Sequence, residues 1–160
     1  MNIDDILARI ELLIRAASGL GIPVAFTEQY SAGLGTTLQP IRDLAHAVPV
    51  IAKVHFQATL EPGLEAWIAQ NGARQIVIAG TEAHVCVLQT TLGLIEGGYE
   101  TFLVADAVGS RRDRDRTLAV ERLRFEGCRI VSAEMVVFEW LKNAATEEFR
   151  AILPLIKRVD

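Results

Sequence analysis

The sequence predicts an α/β fold of three layers, with helices on both faces of a mostly parallel sheet, and two observations carry that reading. Short β-type runs at Val48 to Ala52, Gln75 to Ala79, Glu100 to Ala105 and Arg129 to Ser132 alternate with longer segments whose apolar residues recur at helical spacing. Glycine or proline stands at most of the junctions between them. Strands that alternate with helices lie parallel and are joined by right-handed crossovers. At 160 residues the chain suits one domain, 1–160, and its 51% apolar and 22% charged content are ordinary for a globular protein.

The first segment places Ile3, Ile6, Leu7, Ile10, Leu13, Ile14 and Ala17 on one helix face, ended by Gly19 and Gly21. Asn2, Asp4 and Asp5 suit its first turn, where side-chain oxygens cap free amides and negative charge meets the helix dipole. Pro23 to Phe26 reads as a buried strand leading into a loop made mobile by Gly33 and Gly35, and Val48 to Ala52 as the next strand, with Lys53 at its end. Pro62 to Gln70 is predicted as a helix with Leu64, Trp67 and Ile68 inward and Gly72 beyond its end. Gln75 to Ala79 is a strand, Val85 to Glu96 the helix after it, and Glu100 to Ala105 a strand with Asp106 at its end. Asp113 to Glu126 returns as a helix with Leu118, Leu123 and Phe125 as contacts. Arg129 to Ser132 is the final strand, and Thr146 caps a last helix reaching Leu153.

A net charge of -4 gives no electrostatic reason to expect nucleic acid or an anionic membrane as partner. The arginines from Arg111 to Arg116 are interrupted by Asp113 and Asp115, which reads as a solvated loop and helix start. Two cysteines, Cys86 and Cys128, are too few for a disulfide framework and fit a reducing compartment. No apolar run approaches the roughly 20 residues needed to span a bilayer, and no basic-then-apolar leader opens the sequence. The expectation is a soluble, cytoplasmic protein.

The stretch Ile76 to Val87 is the candidate for chemistry. Cys86 falls where an apolar strand turns into a helix, and in an open α/β sheet the carboxyl ends of strands are where ligands bind. A helix N-terminus carries about half a positive charge, which favours thiolate over thiol. Two readings of Cys86 stand side by side at this point, a nucleophile or a small buried hydrophobe among valines. Lys53 likewise is either a surface residue at a strand end or a group on the same sheet edge as Cys86.

The run G-T-E-A-H-V-C-V-L-Q-T, followed by G-Y-E-T-F-L-V-A-D-A-V-G-S-R, resembles the isochorismatase-like cysteine hydrolases, a superfamily that includes nicotinamidases and other small-amide hydrolases. The likeness extends to T-E-Q-Y-S-A-G-L-G at Thr27 to Gly35, A-K-V-H-F at Ala52 to Phe56 and A-E-M-V-V-F-E-W-L at Ala133 to Leu141. The resemblance implies a Rossmann-like sheet and hydrolysis of a small amide or other carbonyl compound through an acyl-enzyme. It implies Cys86 as nucleophile and Lys53 as the ammonium that holds the thiolate. The backbone amides of Glu82 and Cys86 become oxyanion donors, in a turn with a cis peptide between Thr81 and Glu82. Tyr30, His55 and Phe56, which flank strand ends, are candidate pocket lining, with core or rim as the alternative. His84 reads as structural, Asp106 as a loop brace and Cys128 as structural.

Metal-dependent relatives carry a D-x-H-x-x-H run; here the histidines are His46, His55 and His84, without that spacing. No metal and no cofactor are therefore expected. The resemblance also implies a further strand, which ends in a basic aspartate and would lie between the strand at Pro23 and the one at Gln75 in a sheet ordered 3-2-1-4-5-6. The sequence opens at the helix after it. The expectation is that the flanking strands pair directly or that another chain repairs the gap, and that activity is impaired without the aspartate. A non-catalytic, oligomer-forming homologue is the alternative function, and a true start upstream of Met1 is a third possibility. Apolar residues near the end, Phe149, Ile152, Leu153, Leu155 and Ile156, suggest a homo-oligomer, a dimer or tetramer.

Overall fold

The structure is a computed structural model that describes residues 2–44 and 46–159. Helix α1 (Ile3–Gly19) leads into strand β1 (Phe26–Gln29), a one-turn helix α2 (Ser31–Leu34), helix α3 (Gln39–Leu44) and strand β2 (Val50–Lys53). A 3-10 turn (Ala58–Leu60), α4 (Pro62–Gln70), β3 (Gln75–Thr81), a π-helical turn (Ala83–Val87) and α5 (Leu88–Glu96) follow. The chain closes with β4 (Glu100–Gly109), α6 (Asp113–Phe125), β5 (Arg129–Val131), α7 (Ala133–Leu141) and α8 (Glu147–Ile156). Among the described residues no helix is long and apolar enough to cross a membrane.

All strand pairs are parallel, but they form two sheets, β1-β2 and β3-β4-β5. Direct pairing of the two strands flanking the expected gap is thereby corrected: β1 and β3 are not hydrogen-bonded to each other. The sheets instead share a helix layer. Leu64 and Ile68 of α4 sit in one apolar cluster with Ile51 of β2 and with Ile76 and Ile78 of β3. On the opposite face, Leu12, Leu13 and Ala16 of α1 meet Val104 of β4, Val136 and Val137 of α7, and Ile152 and Ile156 of α8. Successive strand residues point to opposite faces, so Leu103 joins Ala119 and Leu123 of α6 and Cys128 in the other layer. Each fully buried leucine contributes roughly 1.5–3 kcal/mol of transfer free energy.

Several boundaries differ from expectation for local physical reasons. β1 begins at Phe26 rather than Pro23, because pairing starts where the Phe26 amide donates to Pro49 O at 2.9 Å, and a proline has no amide to donate. Asn2 precedes α1 without capping it; its side-chain amide donates to Asp5 at 2.7 Å instead. The loop expected around Gly33 contains α2, and a Cβ at Gly33 would lie 2.4 Å from the Tyr30 ring, so only glycine lets that ring lie across the turn. In α6, Ala119 and Leu123 face inward. Leu118 and Phe125, seven residues apart and so on one helix face, are 52% and 91% exposed, contrary to expectation.

β4 runs on to Gly109 and its register with β3 breaks between Ile78 and Gly80. Asp106 falls in that irregular stretch rather than at a strand end. Arg116 is not solvated as expected; its guanidinium donates to Val108 O at 3.0 Å and to Ala105 O, tying α6 to the same stretch. Ile152 and Ile156, offered as part of a self-association face, are buried within the chain's own core.

Candidate active site

Parallel pairing puts the carboxyl ends of β1 and β2 side by side, and the Cys86–Gln29 contact brings the turn after β3 to the same place. Gln29 and Lys53 are partners in the register of β1 with β2. The Tyr30 amide then donates to Lys53 O at 2.8 Å, with Tyr30 itself left-handed at φ 41°. Beyond β3 the peptide between Thr81 and Glu82 is cis, and the chain enters the π-helical turn in which the Val87 amide reaches back to Glu82 O at 3.2 Å. Cys86 is inside this turn rather than at an α-helix N-terminus, and π-type turns of this kind occur often at functional sites.

The structure brings Cys86 and Lys53 together through Gln29, a residue that sequence reasoning quoted within a motif but did not single out. The Lys53 ammonium, buried at 4% exposure, donates to the Gln29 carboxamide oxygen, to His55 O at 3.1 Å and to Phe56 O at 3.2 Å. The Cys86 thiol donates to the same Gln29 oxygen at 3.6 Å. Gln29 Nε2 donates to Val54 O at 2.7 Å. A buried ammonium is costly unless its donors are satisfied, and three oxygens satisfy them here. All three are neutral, and among the described residues no carboxylate forms an ion pair with Lys53.

An open cleft of about 210 Å³ is lined by Tyr30, Ser31, Ala32, Ala52, Lys53, Val54 and Glu61; of the linked group Lys53 borders it, while Gln29 and Cys86 lie outside its lining. Tyr30 borders it, whereas the His55 ring turns to the Glu61 carboxylate at 2.9 Å and Phe56 is half exposed outside its lining. Glu61 also accepts from the Val54 and His55 amides, and the Val54 amide leads in holding its carboxyl below the usual carboxylate range. The loop after β1 is anchored by Glu28, which accepts from the Thr37 amide at 2.7 Å and Arg42 at 3.2 Å.

His84 faces away from the cleft. Its Nδ1 is 2.9 Å from the buried Ser110 hydroxyl and 3.5 Å from the Glu82 carboxylate, which accepts from the Arg111 amide at 3.1 Å. Asp106 is engaged at both oxygens, by the Ala133 amide at 2.9 Å and Arg9 at 3.2 Å, so it braces α1 and α7 against β4. Cys128 is buried, and burial pushes its thiol pKa up. Among the described residues no three His, Cys, Asp or Glu side chains are grouped so as to hold a metal ion.

The Isochorismatase domain profile matches residues 1–135. The chain belongs to the isochorismatase family. The Isochorismatase domain-containing protein 1 of Danio rerio is 41% identical over 154 residues, 96% of this chain and 54% of that protein, so the chain spans about half of that relative's length. The MAR1 Ribonuclease structure from Caenorhabditis elegans superposes with a TM-score of 0.91 at 32% identity, over 98% of this chain and 80% of that one. YcaC from Pseudomonas aeruginosa, solved with hexane-2,5-diol and covalent acrylamide, gives 0.89 at 25% identity, over 97% of this chain and 79% of that one. The isochorismatase-like αβα architecture is shared with both solved structures, and family membership points to hydrolase chemistry in general.

Proposed function

We propose that this isochorismatase-family chain is a cysteine-dependent hydrolase of a small amide or other small carbonyl compound. The observation that carries the reading is the shared hydrogen bonding of Cys86 and Lys53 to Gln29, with Lys53 also lining an open cleft. In the proposed cycle the Cys86 sulfur bonds to the substrate carbonyl carbon, with the Glu82 and Cys86 amides as donors to the oxyanion. Collapse breaks the C–N bond, the amine leaves with a proton, and water cleaves the thioester to release the acid and restore the thiol. Aimed amide donors of this kind contribute roughly 3 kcal/mol to such a transition state.

YcaC has been seen with covalent acrylamide, an electrophile of the class to which thiols add, and we extend that reactivity to Cys86. The acceptor on the Cys86 thiol is a neutral carboxamide, which takes no proton at neutral pH. Turnover by the described residues alone is therefore proposed to be slow, in line with the large losses seen when one member of a cooperating set is missing. Tyr30 is assigned to the pocket wall, with His55 and Phe56 at its rim. A cytoplasmic setting and homo-oligomeric assembly belong to the same proposal.

The test is thiol labelling with iodoacetamide followed by intact mass after exposure to a panel of small amides. Cys86 is expected to label quickly while Cys128 labels only on unfolding, and an acyl adduct is expected that Cys86→Ala abolishes. Slow labelling of both thiols, with no adduct, would favour the alternative of a non-catalytic scaffold that keeps the turn as architecture.

A further inference from the structure

We propose that Gln29 is a positioning residue that holds this site in a resting state, its carboxamide oxygen engaging the Lys53 ammonium and the Cys86 thiol together until a substrate draws it away. The inference rests on the reading of Cys86 as the reacting group. The orientation of the carboxamide is fixed by chemistry: Val54 O only accepts and the ammonium only donates, so Nε2 faces Val54 and Oε1 faces Lys53 and Cys86.

The charge distribution follows from that orientation. The ammonium's three N–H groups go to Gln29 Oε1, His55 O and Phe56 O, which leaves none aimed at the sulfur. The negative end of the carboxamide dipole meets the sulfur instead, and accepts its S–H. The other charged groups near Cys86 point outward: Glu82, on the same turn, faces Arg111 and the His84 ring, and Asp115 of α6 lies 4.0 Å beyond that ring. Among the described residues Lys53 of β2 is thus the charged group linked to the sulfur, and the link runs through Gln29 of β1.

Lys53 borders the cleft and holds Gln29 Oε1, so a small primary amide entering past Lys53 brings a carbonyl that can accept from the ammonium and an N–H that can donate to Oε1, which fits the group that would turn the carboxamide. With Gln29 displaced, one ammonium N–H is released toward Cys86, and an opposite charge at close range favours the thiolate. Substrate arrival and nucleophile activation then become one event.

The experiment is the pH dependence of iodoacetamide alkylation at Cys86 in the wild-type chain, Gln29→Leu, Gln29→Met, Lys53→Met and the Gln29→Leu/Lys53→Met double variant, each confirmed folded by circular dichroism. Both Gln29 variants are expected to alkylate about tenfold faster at neutral pH, a shift of roughly one pH unit in the profile. The double variant is expected to lose that gain. A Lys53-dependent profile that neither Gln29 substitution moves would overturn the role of Gln29 while leaving Cys86 as the reacting group. An ordinary free-thiol profile in all five chains would overturn both.

Discussion

The His84 ring and the Ser110 hydroxyl meet at 2.9 Å, joining the π-helical turn to the loop between β4 and α6. Ser110 is fully buried, so its hydroxyl depends on this partner. Replacing His84 by Ala leaves a buried polar group unmet, at a cost of about 1–3 kcal/mol, and His84→Asn is expected to recover part of it. Urea unfolding measures both. The pH profile of Cys86 alkylation is expected to keep its midpoint in His84→Asn, since His84 faces away from the cleft; loss of that midpoint would make His84 the base.

Glu28 supplies the acid sensitivity of the loop after β1. The Thr37 amide, with Arg42 adding its charge, holds the Glu28 carboxyl below its ordinary value of 4.5. Because the folded pKa lies below the unfolded one, the stabilisation is present above about 4.5 and is lost as pH falls through the folded pKa. Glu28→Gln is expected to be less stable than wild type at neutral pH, by about 1 kcal/mol, and to converge with it in acid. Unfolding midpoints taken across that range check the prediction, and a constant difference would refute it.

Asp106 separates bracing from catalysis. Asp106→Ala removes the acceptor on the first amide of α7 and a partly exposed pair with Arg9, together worth about 1–2 kcal/mol. A fall in Tm of about 2–8 °C is expected for a chain of this size. The Cys86 alkylation rate is expected to stay within about twofold of wild type, because both Asp106 oxygens are turned to α1 and α7. A large drop in that rate would show that Asp106 acts on the thiol.

Sequence periodicity located the long elements because their signals are local. α4 runs from Pro62 to Gln70 as expected, and Thr146 caps α8 by accepting from the Phe149 amide at 3.1 Å. Where the deciding partner is distant in sequence, the pattern misleads. Which residues of 23–29 form β1 depends on the register with Pro49 and Lys53. The α6 face was misassigned because Leu118 and Phe125 look apolar in the sequence, whereas packing against β4 selects Ala119 and Leu123.

The same distinction governs the site. Position alone left Cys86 and Lys53 with two readings each, and the family resemblance singled them out as candidates. Gln29 was not singled out, since nothing in a glutamine's neighbours along the chain announces that its oxygen will be shared by a lysine 24 positions away and a cysteine 57 positions away. Its one available signal was its place as the last residue of a strand that pairs with the strand ending in Lys53.

Gln29 belongs to the two-stranded sheet and Cys86 follows β3 of the three-stranded one, and among the described residues no strand of one sheet is hydrogen-bonded to a strand of the other. The thiol therefore lies at a seam bridged by packed helices, by the Gln29 carboxamide and by the Thr90 hydroxyl. Any slip of one half against the other alters the surroundings of that sulfur before it disturbs either ladder, so the cysteine doubles as a built-in gauge of how the halves are aligned.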